Sequence, residues 1–335
     1  MSIPALTVLM TAYNAEAYLD SSIRSILTQS FRDFEFLIID DGSTDGSVAL
    51  LERWAGRDDR IRLVLNKSNQ GQTPCLNQGI AAARAPWIAR QDADDLSDPR
   101  RLELQMAAIS VRPGLGLLGT NGWLMGEHGS FQGLINAPVG GVGIELSSLF
   151  YNPFLHSSVC FRRETALAVG SYDTSLRIAQ DYDFWIRLMA ISSADNLPER
   201  LLTYRVHPTS LSNEGRETTR READSACRRA FHQWKLGLFE QEANLKLIGD
   251  FRECNPKLDR AAFWDLYHRV AETFLKHEGL TGKEPALRQA RALIHWKIAG
   301  SLGRSLPALK ETAAALVCSP ELISRLLAGR ILGPQ

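Results

Sequence analysis

The 335-residue chain has no excess of charge of either sign: 38 Lys and Arg balance 38 Asp and Glu. A polyanionic partner is therefore disfavoured, and no nucleic acid is expected as a substrate. Cysteine is scarce. The five residues (Cys75, Cys160, Cys227, Cys254 and Cys318) are scattered, odd in number and without a CxxC pair. This argues against a disulfide framework and a zinc cluster and fits a reducing compartment. Long apolar runs are lacking too, since none approaches the ~18 residues of a membrane span. The opening MSIPALTVLMTAYN has no basic segment before its short apolar run, so no signal peptide is expected. The expected location is cytoplasmic, with peripheral contact on the inner face of the membrane left open.

The composition is that of a globular protein, 44% apolar and 23% charged. The first hundred residues alternate short continuous apolar runs with helical patterns. ALTVLMTAY, FEFLIID, IRLVLN and PWIARQD read as strands. AEAYLDSSIRSILTQS reads as a helix with Ala17, Leu19, Ile23, Ile26 and Leu27 near one face, and DGSVALLERWAG and TPCLNQGIAAARA as two more. Such alternation predicts βαβ units and a parallel sheet. Residues 100–215 are less regular, with Gly-rich stretches (GLGLLGTNG, PVGGVG) and a short strand at SSVCFRR. From about 216 the pattern is helical, with breaks at Asn255-Pro256, Gly279 to Gly282 and Leu306-Pro307.

Ligands of such sheets bind beyond the carboxyl ends of the strands, and polar clusters stand there. DDGSTDG (40–46) reads as a turn and helix start. Turning the chain needs only one of its two adjacent carboxylates, so Asp40 or Asp41 is available to accept from a nucleotide. In IARQDADDLSDP (88–99) four aspartates fall within seven positions. An EF-hand fails, because Leu96 and Ser97 occupy its ligand and glycine positions. Asp92 and Asp94, at i and i+2, leave an extended segment on one side and can converge on a divalent cation together with phosphate oxygens. Asp98-Pro99 is expected to cap the helix that follows. In AQDYDFWIRLMA (179–190), Asp181 and Asp183 suit a helix N-terminus, with Phe184, Trp185, Leu188 and Met189 as core. His207 precedes Pro208 in a loop, where a lone histidine is more often unliganded.

Together, LTVLMTAYNAEAYLDSSIRSILTQSFRDFEFLIIDDGSTDGS, NQGQTPCLNQGIAAARAPWIARQDADD, HSSVCFRRE, GSYDTSLRIAQDYDFWIRL and YRVHPTSLS resemble, in order and spacing, family 2 of the inverting, nucleotide-sugar-dependent glycosyltransferases. The resemblance covers roughly the first 215 residues. It implies an α/β GT-A fold, a Rossmann-like mixed and mainly parallel sheet flanked by helices. The implied domain is 1–215, with a nucleotide half at about 1–98 and an acceptor half at about 99–215, followed by a helical region at 216–335. By similarity, Thr11, Tyr13 and Asp41 hold the nucleoside, Asp92 faces the ribose, and Asp94 with His207 meets Mn²⁺ or Mg²⁺. Asp181 matches the general base, with Asp183 as the fallback, and His156 opens the segment lining the acceptor side.

Two departures stand out. Gln180 occupies a position where many relatives have Glu, and Leu76 one where Arg is frequent. The QxxRW signature of processive synthases is missing, so transfer of one sugar at a time is expected. The expected donor is a UDP-sugar, with a dTDP-sugar second, and the acceptor a saccharide or lipid-linked saccharide of a surface polymer. A catalytically silent nucleotide-sugar-binding scaffold is the alternative. A sugar-1-phosphate nucleotidyltransferase is disfavoured because TAYNAEAY lacks that class's glycines and basic residues. The C-terminal helices are candidates for homodimerisation or membrane contact, although CRRAFHQWKLGLF reads more readily as a core-facing helix.

Overall fold

The structure, a computed structural model, describes residues 3–208, 215–255 and 257–277 and the positions 288, 291, 292, 294, 295 and 314. The expected breaks at Gly279 to Gly282 and Leu306-Pro307 lie outside these residues, as do 209–212 of YRVHPTSLS. The chain forms two units, one of Met1–Ile135 with Phe154–Asn213, the other of Asn136–Pro153 with Glu214–Gln335.

In the first unit, β1 (Leu6–Ala12) and β2 (Phe34–Asp40) are buried at every position, as continuous apolar strands covered on both faces must be. Between them α1 (Glu16–Leu27) buries Leu19, Ile23, Ile26 and Leu27, whereas Ala17 is exposed, contrary to expectation. α2 (Ser47–Ala55), β3 (Ile61–Leu65), α3 (Gln72–Ala82) and β4 (Trp87–Asp92) complete the alternating pattern. After a loop come the short β5 (Leu96–Ser97) and α4 (Arg101–Ser110). The N-cap of α4 is Arg100 rather than Asp98, and the Asp98 carboxylate instead accepts the Arg100 N–H at 2.9 Å in the preceding turn.

The expected irregular stretch is sheet. All but the first residue of GLGLLGTNG lies in β6 (Leu115–Gly126), which pairs with β7 (Phe131–Ile135). Its glycines make room for neighbours: a Cβ at Gly116 or Gly119 would lie 2.1 Å from a side-chain oxygen of Ser192 or Asn196 respectively. α5 (Gly141–Ser147) belongs to the second unit. The first unit resumes with β8 (Cys160–Arg162), α6 (Arg163–Ala168), α7 (Gln180–Met189) and β9 (Ser193–Val206). The nine strands form one mixed sheet in the order β3-β2-β1-β4-β8-β6-β9-β5, with β7 beside β6. β3, β2, β1 and β4 are mutually parallel, while β8 runs antiparallel to both of its neighbours. Phe184, Trp185, Leu188 and Met189 of α7 are buried as expected.

The second unit contains α8 (Arg216–Gln233), α9 (Glu242–Arg252) and α10 (Arg260–His277). Its core stacks Phe251 on Phe263 at 4.6 Å, with Phe150 edge-on to Phe263 at 6.0 Å. Phe231, Trp234 and Leu236 are buried, so the aromatic residues of CRRAFHQWKLGLF face the core.

Candidate functional site

Register brings the polar strand ends together. Thr11 lies beside both Ile39 and Asp92, and Ala12 beside Asp40. The adjacent carboxylates after β2 have separate tasks. Asp40 closes its own turn, accepting the Ser43 N–H at 2.9 Å and the Ser43 hydroxyl at 2.5 Å. Asp41 is buried and moors the start of α3, accepting the Gln70 and Gly71 N–H groups at 2.9 and 2.8 Å. Each oxygen of an ionised carboxylate can accept a second bond. Thr11 is buried, whereas Tyr13 is 49% exposed. Tyr13 precedes Asn14, whose positive φ is held from the neighbouring turn: its N–H donates to Ser43 Oγ at 3.0 Å and its side-chain oxygen accepts the Thr44 N–H at 2.8 Å.

One of the aspartates at the end of β4 is paired with arginine, and two more arginines brace the loop around them. Arg90, fully buried, pairs with the Asp92 carboxylate two residues on. Beneath it the fully buried Arg101 donates to the Gln91 side chain at 3.0 Å, Ser97 Oγ at 2.8 Å and the Arg90 carbonyl at 2.6 Å. Burial lowers the Arg101 pKa to about 10, so it stays charged at neutral pH. From across the β5–β9 pairing, the Arg205 N–H donates to Asp95 at 2.9 Å, and Arg205 Nε donates to the Asp94 carbonyl at 2.9 Å. His207 Nε2 lies 2.8 Å from Asp94 Oδ2, and its ring is 4.9 Å from Tyr18. Burial, reinforced by Asp92, raises the Asp94 pKa, and burial with Asp94 and Asp92 raises that of Asp95 well above the usual carboxylate range. Asp95 Oδ2 is buried without a hydrogen-bond partner.

These donors fit a divalent cation. A carboxylate and an imidazole already converge beside further carboxylates, and carboxylate oxygens suit Mn²⁺. No group of three or more His, Cys, Asp or Glu side chains is placed to enclose a metal among the described residues, so phosphate oxygens would have to complete the shell.

Asp181 sits half-buried in the first turn of α7. Asp183 is buried and accepts from Arg187 at 2.8 Å, and Arg187 also donates to the Val169 carbonyl at 2.6 Å. Tyr172 connects the two acidic regions. Burial raises its pKa far above the ordinary value, and Asp181 and Asp92 both add to the shift while Arg90 and Arg187 oppose it. Both carboxylates thus lie within electrostatic reach of one phenol. His156 Nε2 is 3.0 Å from the Tyr172 hydroxyl. Desolvation and nearby Arg90 lower the His156 pKa to about 3, leaving it neutral. A direct link runs through Gln72, which donates to Asp92 Oδ1 at 3.4 Å and accepts from Gln180 Nε2 at 3.2 Å. Gln180 itself is buried.

Sequence reasoning had passed over Arg90, Arg101, Arg205, Gln72 and Tyr172. For Arg90 a signal existed, because an arginine in a strand read as apolar on both faces needs an acid, and Asp92 shares its side. Gln72, Tyr172 and Arg205 act on residues further away in the chain.

The profile described as "Glycosyl transferase family 2" matches residues 7–120. The chain is 35% identical over 187 residues to the putative glycosyltransferase EpsE of Bacillus subtilis, covering 55% of this chain and 66% of that one. It is 32% identical over 209 residues to the O-antigen biosynthesis glycosyltransferase WbnJ of Escherichia coli, covering 61% and 81%. In fold it is similar to S. aureus TarS 1-349 in complex with UDP-GlcNAc (TM-score 0.57, 15% identity, 97% of this chain and 92% of that one). It is likewise similar to the mannosyltransferase PcManGT from Pyrobaculum calidifontis in complex with GDP-Man and Mn²⁺ (0.57, 18%, 100% and 89%).

Proposed function

The chain belongs to glycosyltransferase family 2, and on that premise we propose that it moves one sugar at a time from a nucleoside-diphosphate sugar to a hydroxyl acceptor. The carrying observation is that Gln72 bonds both Asp92, at the carboxyl end of β4, and Gln180, at the start of the helix bearing Asp181. The O-antigen role in WbnJ's name supports an acceptor on a growing surface polysaccharide or glycoconjugate.

In this reading Tyr13, half exposed at the end of β1, packs against the base, with Thr11 and Asp41 beside the nucleoside and Asp92 towards the ribose. Asp94 and His207 would hold Mn²⁺ or Mg²⁺, which when bound supplies positive charge against the departing diphosphate. Asp181 takes the proton of the acceptor hydroxyl as that oxygen bonds the anomeric carbon. The bond from that carbon to the diphosphate oxygen breaks, and its electron pair leaves with the nucleotide. Attack from the face opposite the leaving group inverts the configuration. A positioned base contributes about 10²–10⁴-fold.

A UDP-sugar is the favoured donor and a dTDP-sugar the second. Thermal shifts with UDP, dTDP and GDP, each with and without Mn²⁺, test the site, and incubation with the matching sugars tests turnover. Metal-enhanced stabilisation by one nucleotide, followed by release of that nucleotide from its sugar, is expected. Absence of both, with every nucleotide, overturns the proposal.

A further inference from the structure

Residues 172–179 form neither helix nor strand ahead of α7. Side chains of α3 help to hold them. Asn77 brackets Tyr172, donating to its carbonyl at 2.8 Å and accepting its N–H at 2.9 Å. Thr73 Oγ1 donates to the Leu176 carbonyl at 3.2 Å, and Gln72 accepts from Gln180. Of the three, Gln72 also reaches the acidic loop.

The chain runs in one direction: Gln72 turns its NH₂ towards Asp92 and its carbonyl towards the Gln180 NH₂, which donates. A glutamate at 180 would set oxygen against oxygen and break the run, so the amide at this position matches Gln72. The clamp is moored as well, because Gly71, adjacent to Gln72, is held by Asp41.

We infer that Gln72 is a positioning residue, whose amide fixes the spacing between the donor-side carboxylate Asp92 and the helix that carries Asp181. The consequence for catalysis rests on the proposed sugar transfer; the clamp itself does not. Misplacing a reacting group by about 1 Å can cost about 10²-fold.

Gln72→Leu removes both bonds, and Gln180→Leu removes only the second. Hydrogen–deuterium exchange on the full chain, without ligand, tests the clamp. In Gln72→Leu, faster exchange is expected in both 92–95 and 172–181, with α1 unchanged. Wild-type exchange in both segments overturns the inference. Kinetics with UDP-, dTDP- and GDP-sugars plus Mn²⁺ test the consequence. In Gln72→Leu, kcat should fall about 10- to 100-fold with donor KM within about three-fold of wild type. The double variant should be no worse than about the poorer single one, since both substitutions break one chain. An unchanged kcat, or multiplicative losses, overturns the positioning role. If the wild type consumes no sugar yet both segments loosen in the variant, the clamp stands and the transfer reading falls.

Discussion

Single side chains divide the acidic residues into those proposed to react and those that hold the fold. Asp181→Asn should lower kcat by about 10²–10⁴-fold, while nucleotide affinity measured by calorimetry stays near wild type. Asp183→Ala should act differently. It leaves Arg187, itself partly exposed, without its carboxylate, and chemical denaturation should show a loss of about 1.5–3 kcal/mol, the worth of a charged hydrogen bond. Asp95 provides a pH test. Its folded pKa is raised, so the stability it contributes is present below the unfolded value of about 3.9 and is lost as pH rises through the folded one. Asp95→Asn, assayed in chelator, should therefore raise Tm at pH 7–8 by about 2–4 °C, the shift expected for ~1 kcal/mol. That advantage should vanish on acidification through the folded pKa. A difference that grows towards acid would refute this account. The sequence made Asp92, Asp94 and Asp181 visible through the spacing of their motifs. It could not show that Asp40 and Asp41 serve different partners, because those partners, Ser43 and the N–H groups of Gln70 and Gly71, depend on how the turns close.

Among the elements, β1 to β4 were legible because each is a continuous apolar run between helices. β6 and most of β9 were not. Gly116 and Gly119 look like chain breakers in the sequence, yet in the fold they yield space to Ser192 and Asn196. The turn after β2 illustrates the same economy of space. Gly42 has φ +72°, and a Cβ there would lie 2.7 Å from the backbone of Ser68. Gly42→Ala should therefore destabilise by about 1–3 kcal/mol. It should also weaken nucleotide binding, because it displaces Asp41 from the loop that Asp41 holds. Equal denaturation midpoints for the variant and the wild type would contradict the packing argument.

At the scale of the whole chain, the helical character after 216 was readable from period alone. That Asn136–Pro153 belongs with those helices was not, since PVGGVG resembles a surface loop. A chain ended after residue 215 should therefore expose Leu146, Leu149 and Phe150, all fully buried here, and lose the partner of Phe150, Phe263. Size-exclusion chromatography should show aggregation, and an apolar dye should bind; a dye-negative monomer would count against it. The β5–β9 pairing has a bearing on synthesis. Asp95 meets the Arg205 backbone from 110 positions away. On the ribosome Asp95 and β5 emerge long before the backbone that bonds them, and that stretch of nascent protein must wait with β5 unpaired until β9 has been translated.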